Sequence, residues 1–432
     1  MSVALFCVAC SCADNARPAE APIADSGALD AAPADASKAG CAPLPSLSAL
    51  SWRAPVRQSL DALIASKGCA ASGYDAAAKP VALFDWDNTM IKNDVGDATM
   101  FWMLKNGKLR APVGNDWATT SRYLSAAAKT RLNAVCGVSA LKGGLLDTPA
   151  NVDCTKEVLS IYTGGQTTNG AAAFAGFDAR RMEPAYAWAS ALLSGYTEAQ
   201  IYAFANQAID ENESAAIGAT QTIAGISLTG YTRLYPEMKE LVQTLSTAGF
   251  DVWVVSASAQ PLVRAYAERA GIMNDHVIGI RSVADANGLW SAHLQGCGGV
   301  ADGDDSVITY IDGKRCWINR QIYGDNTSGA WMRRPAARQT MAAGDSNTDV
   351  TFLRDATDLR LVINRNKEEL MCFAYNNEDA HWLVQPMFIS PRAERPALYP
   401  CASTACVNSQ GAGGACIAES GAVIADQKDS VF

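Results

Sequence analysis

Val-Ala-Leu-Phe-Asp-Trp-Asp-Asn-Thr, residues 81–89, is the stretch on which the fold turns. Its first four residues are a continuous apolar run entering a polar turn, as in a strand buried on both faces of a parallel sheet. Asp85 and Asp87 follow at once, two residues apart at the strand's end, where both carboxylates can face one site. Such a pair is costly, because like charges raise one pKa. It is tolerable when a cation lies between the carboxylates or one of them keeps its proton. The bland reading of this segment alone is an Asx-rich turn that ends a strand.

Outward from this stretch, the apolar runs 252–255 and 359–363, with a shorter one at 341–343, have the same character. Leu234, Met238, Leu241, Val242 and Leu245 share one helical face that ends at Gly249, and a helix from Pro261 to Ala270 stops at Gly271. Upstream, Val56, Leu60, Leu63 and Ile64 recur at helical spacing and close at Gly68. Alternating strands and helices predict an α/β fold, a Rossmann-like core on a parallel sheet with ligands at the strands' carboxyl ends. Between the first strand and the helix at 234 the pattern is Ala-rich and largely helical, as in 185–193 and 198–209, and predicts an inserted α-helical cap. The boundaries read as 46–94 and 232–390 for the core and 95–231 for the cap.

The flanks differ in composition. Residues 13–45 are an Ala, Pro and Asp-rich tether with little to bury, and 391–432 form a cysteine-rich tail. Residues 1–12 hold a short apolar run ending at small residues and cysteines, the order of a lipoprotein signal with Cys10 or Cys12 lipidated, although no Lys or Arg precedes Arg17. Ten cysteines lie beyond that segment, and the three histidines have no finger-like spacing to them, so disulfides and an oxidising compartment are expected rather than zinc. The expected location is therefore outside the cytoplasm: periplasmic, lipid-anchored to a membrane, or secreted. A net charge of −9 argues against nucleic acid as a partner and demands a local cation supply for any anionic substrate.

Three more segments carry candidate chemistry. Ser256 in VVSAS ends an apolar run, where its hydroxyl and the following N–H groups, from Ala257 on, can hold an anion's oxygen; a helix cap would use the same residue. Gly344-Asp345-Ser346-Asn347-Thr348-Asp349 offers two more carboxylates after a strand, and hard oxygen donors suit Mg²⁺; Asp345 or Ser346 could equally cap a helix. Lys314 in YIDGKRCWINRQI is a cation able to neutralise a carboxylate nucleophile, with Arg281, Arg315 and Arg320 as rivals.

In the order DxDNT, SAS, GK, GDSNTD, these motifs resemble the haloacid dehalogenase superfamily and, within it, the phosphoserine phosphatase-like branch, whose helical cap follows the first motif. The resemblance covers about 82–363. It implies Asp85 as nucleophile, Asp87 as acid/base, and Asn88, Thr89, Ser256, Ala257 and Lys314 around the phosphoryl group. Mg²⁺ would be held by Asp85, the Asp87 carbonyl and Asp345, with Asp349 supporting the metal or Lys314. Asp94 matches the acidic residue that meets the substrate's amino group, so a small phosphorylated metabolite with a cationic head is expected: phosphoserine, phosphocholine or phosphoethanolamine. Exported phosphorylcholine phosphatases are similar too, with Trp86 or Trp102 as a ring face for a quaternary ammonium. A dehalogenase lacks the second aspartate, so Asp87 speaks against that activity. A phosphotransferase, which passes the aspartyl phosphate to an alcohol, and a silent lipid-anchored binding protein compete with the hydrolase reading. The oligomeric state does not follow from the sequence.

Overall fold

The computed structural model describes residues 41, 46–137 and 144–432. The expected signal and nearly all of the tether lie outside them. The centre is a six-stranded sheet built from β1 (Val81–Phe84), β2 (Asp251–Ala259), β3 (Val277–Ile280), β4 (Met341–Gly344), β5 (Leu359–Asn364) and β6 (Trp382–Pro386). Their order is β6-β5-β4-β1-β2-β3, and every pairing is parallel.

Side-chain alternation explains the uninterrupted apolar runs. Ala82 and Phe84 of β1 enter one core with Val252 and Val254, while Val81 and Leu83 enter the other with Val255 and Ala342. Both faces of the sheet are therefore covered at its centre, where all four residues of β1 and of β4 are buried. The edge strands β3 and β6 escaped sequence reading. One is a four-residue VIGI, and the other carries Gln385 and ends at Pro386, which only an edge tolerates.

The strand order reverses between β1 and β4, which opens a crevice at their carboxyl ends. Above it lies the segment between β1 and β2. It contains helices Val95–Lys105, Ala126–Cys136, Val152–Gly164, Pro184–Ala191 and Glu198–Ser214, and a hairpin of Thr220–Ile223 with Ile226–Thr229 that the helical pattern did not reveal. Asp94 caps the first helix by accepting from the Asp97 N–H, and Thr197 with Gln200 forms a capping box on the last.

All ten expected cysteines pair: Cys41–Cys69, Cys136–Cys154, Cys297–Cys316, Cys372–Cys401 and Cys406–Cys416. Five such bridges are the mark of an oxidising compartment. The last two fasten the tail, whose Tyr399, Cys401, Cys416 and Ile424 are buried in the core below the sheet. Among the described residues no helix is long and apolar enough to cross a membrane.

Candidate active site

Asp85 leaves β1 with its N–H donated to the Ala343 carbonyl of β4, so its side chain stands at the crevice between the two strands. The chain then turns through Asn88, whose left-handed φ of 63° an asparagine tolerates, and the turn is closed by hydrogen bonds with Asn93. From the other side of the crevice β4 delivers Asp345. Gly344 lets Asp349 fold back over the strand end: a Cβ added there would lie 2.7 Å from the Asp349 carboxylate. Asp85, Asp345 and Asp349 bring ligand oxygens within 4.8 Å of one another, all buried.

Lys314 sits beneath them, fully buried, with Nζ 2.7 Å from Asp85 Oδ1 and 2.6 Å from Asp349 Oδ1. Burial lowers its pKa, but Asp349 and Asp85 outweigh this and raise it, so the ammonium is permanent. Its rivals are engaged elsewhere: Arg315 with Asp355, Arg320 with the Gly296 carbonyl, Arg281 with Gln260. The Thr89 hydroxyl bridges Asp85 Oδ2 and Asp345 Oδ1, at 3.0 Å from each. Burial, with Asp349 adding to it, holds the Asp85 carboxyl well above the usual carboxylate range, and Lys314 only partly offsets this. The triad therefore carries more negative charge than its neighbours neutralise, and its donors are all hard oxygens. Both properties fit Mg²⁺.

Asp87 occupies a different environment. Its Oδ1 accepts the Val95 N–H at 2.7 Å, at the start of helix Val95–Lys105, while Oδ2 meets the hydroxyls of Ser258 at 2.7 Å and Ser256 at 3.3 Å. Burial, then Asp94, pushes its pKa well up. Two neighbouring carboxyls thus differ in surroundings: one is ion-paired to a lysine, the other is met by hydroxyls and a backbone N–H.

A cavity of about 530 Å³ opens over this floor. Asp85, Asp87, Asn88, Asp94, Ala257 and Asp345 line it. Ser256, Thr89 and Lys314, expected around the phosphoryl group, do not: they lie fully buried behind it, against Asp87, the carboxylates of Asp85 and Asp345, and Asp85 respectively. Of the two serines in VVSAS, Ser258 is the one that reaches the cavity. Asp349 is also fully buried, and it accepts the N–H groups of Asp345 and Ser346 as well as Lys314. The expected tryptophans are corrected. Trp86 packs against Tyr266, Trp102 stacks on Phe204, and neither lines the cavity, because both belong to the core of their elements. In their place stand Tyr162, Tyr186 and Tyr310, beside Asp94 and Asp97. The Tyr162 hydroxyl donates to Asp97 at 2.7 Å.

Of the residues that sequence reading missed, Ser258 had a signal, since two serines two apart on a strand share a face. Asp97 had another, three residues after Asp94 on one helix. Arg365, which reaches Asp345 from the end of β5, and the tyrosines had none.

Residues 169–354 match the family model of haloacid dehalogenase-like hydrolases, a span holding Ser256, Lys314, Asp345 and Asp349. The fold is similar to a functionally unknown protein from Anaerococcus prevotii, at TM-score 0.58 and 22% identity over 79% of this chain and 94% of that one. A protein of unknown function from Bordetella pertussis aligns at TM-score 0.42 and 14% identity, over 71% of this chain and 98% of the other. A substrate-bound phosphoserine phosphatase aligns at TM-score 0.28 and 12% identity, over 66% and 86%, too distant to bear on the chemistry. No curated protein matches the chain. Over residues 169–354 the chain is similar to haloacid dehalogenase-like hydrolases, and the parallel core with its crevice accords with that likeness.

Proposed function

We propose that this protein is an exported, Mg²⁺-dependent phosphomonoesterase in which Asp85 is the nucleophile and Asp87 the acid/base, acting on a small phosphate ester with a cationic head group. The observation that carries the reading is the contrast at the end of β1: Asp85 is paired to Lys314, whereas Asp87 is met by the Ser258 hydroxyl and the Val95 N–H, with its pKa pushed up by burial and Asp94. Asp85 attacks phosphorus, and the P–O bond to the alcohol breaks as Asp87 gives that oxygen its proton. Asp87, now ionised, takes a proton from the water that attacks the aspartyl phosphate, which frees inorganic phosphate and restores both carboxyls. Lys314 offsets charge throughout. Mg²⁺, when bound by Asp85 and Asp345 with Asp349 behind them, supplies Lewis-acid charge for the phosphoryl oxygens. The helical layer, 95–231, acts as the cap that excludes water.

The head group is assigned from the cavity wall. Asp94 and Asp97 supply negative charge, and Tyr162, Tyr186 and Tyr310 supply aromatic faces, the chemistry that recognises an amine or quaternary ammonium. Export is supported by the five disulfides. The deciding experiment is phosphate release from p-nitrophenyl phosphate with Mg²⁺ and with EDTA. Turnover is expected only with the metal, and Asp85→Asn should abolish it; undiminished activity in that variant rejects the nucleophile.

A further inference from the structure

We propose that Arg365 is the positioning residue that holds Asp345 for the divalent cation, an inference that rests on reading the acidic triad as the cation site. Asp345 is buried, and each of its oxygens has one side-chain partner: Oδ1 the Thr89 hydroxyl at 3.0 Å, Oδ2 the Arg365 Nη1 at 2.5 Å. Lys314 is committed to Asp85 and Asp349, so among the described residues Arg365 is the cation that pairs with Asp345. The pairing is dictated by the sheet. β4 and β5 run parallel with Gly344 opposite Val362, so Asp345 and Arg365 leave the same end of adjacent strands. Asp345 is also the ion-pair partner on which the guanidinium depends: its Nε is buried without a hydrogen-bond partner.

A carboxylate on a short stem can rotate to offer its oxygens elsewhere. With Oδ2 held by the guanidinium, Oδ1 stays turned toward Asp85, on the side where Thr89 already bridges the two acids. Arg365 has an opposing effect, because a positive charge beside a cation site repels the cation. The sign of the change on removing it therefore separates the two roles. Loss of positioning weakens cation binding, whereas loss of repulsion alone strengthens it.

The test is calorimetric titration of MgCl₂ into the metal-stripped full-length protein, its Arg365→Lys and Arg365→Ala variants, with melting temperatures in EDTA to verify folding. Arg365→Ala is expected to bind Mg²⁺ about 10- to 100-fold more weakly, and Arg365→Lys, which keeps the charge but loses the planar fork, to fall between. Binding by Arg365→Ala as tight as wild type or tighter overturns the proposal while leaving the cation site standing. Absence of Mg²⁺ binding by the wild type overturns both. Should Arg365→Ala fail to fold, Arg365→Lys decides: wild-type affinity in that variant overturns the proposal.

Discussion

Asp87 differs from Asp85 by two positions in the chain and by its whole electrostatic surroundings. Burial, then Asp94, pushes its carboxyl up against the pull of the Val95 N–H and the Ser258 hydroxyl, which suits it to the proposed role of giving a proton to the leaving alcohol. Asparagine there retains the shape but loses the proton, and general acid catalysis contributes about 10²–10⁴-fold. Asp87→Asn should therefore lose that much in kcat on an alkyl phosphate and far less on p-nitrophenyl phosphate, whose leaving group needs no proton; equal losses on both would reject the acid role. Asp97 carries the pH dependence. Burial, then Asp94, raises its pKa to about 7, against the Tyr162 hydroxyl that pulls it down. Its charge therefore appears as pH rises through about 7, and KM for phosphocholine should fall over that range, a trend absent in Asp97→Asn. The stability sign is the reverse: a folded pKa above the unfolded one favours the fold at low pH, and that gain is lost as pH rises through about 7. The Asp97→Asn variant should thus gain in melting temperature relative to wild type above about pH 7.

At the scale of one element, helix Asp312–Gln321 delivers Lys314, and three features set its start. Ile311 precedes it at φ 45°, a conformation that costs a β-branched residue about 1–3 kcal/mol. Cys316, two residues after the lysine, is tied to Cys297. Gly313 packs so tightly that an added Cβ would lie 1.8 Å from the Ile308 carbonyl oxygen. Gly313→Ala must therefore push the helix start away and carry Lys314 with it. The expected outcome is a lower melting temperature together with a loss in kcat of about tenfold or more, measured on p-nitrophenyl phosphate. A variant that melts earlier yet keeps full kcat would show that Lys314 tolerates the shift. Sequence reading found this helix only as a lysine among rival arginines, because nothing local to YIDGKRCWINRQI says which cation points at β1.

Across the whole molecule, Arg180 joins parts that the sequence keeps far apart. From the segment between β1 and β2 it reaches Glu369 at 2.7 Å, Asp312 at 3.3 Å, Thr351 at 3.2 Å and the Val407 carbonyl of the tail at 3.1 Å. Glu369 is 2% exposed, so Arg180→Met leaves a buried carboxylate uncompensated, which costs about 3–5 kcal/mol. Urea unfolding should show that loss, and Arg180→Met with Glu369→Gln together should recover part of it. The sequence by itself determined the parallel sheet, the paired aspartates at the end of its first strand and the disulfide-rich class. Those are matters of period, spacing and composition that a chain carries locally. The tertiary structure alone decided that Arg365 meets Asp345, that Ser258 rather than Ser256 reaches the cavity, and that three tyrosines line it where tryptophans were expected. Such convergence depends on which strand ends lie side by side and which face each helix turns inward, and the packing of two cores across one sheet settles both.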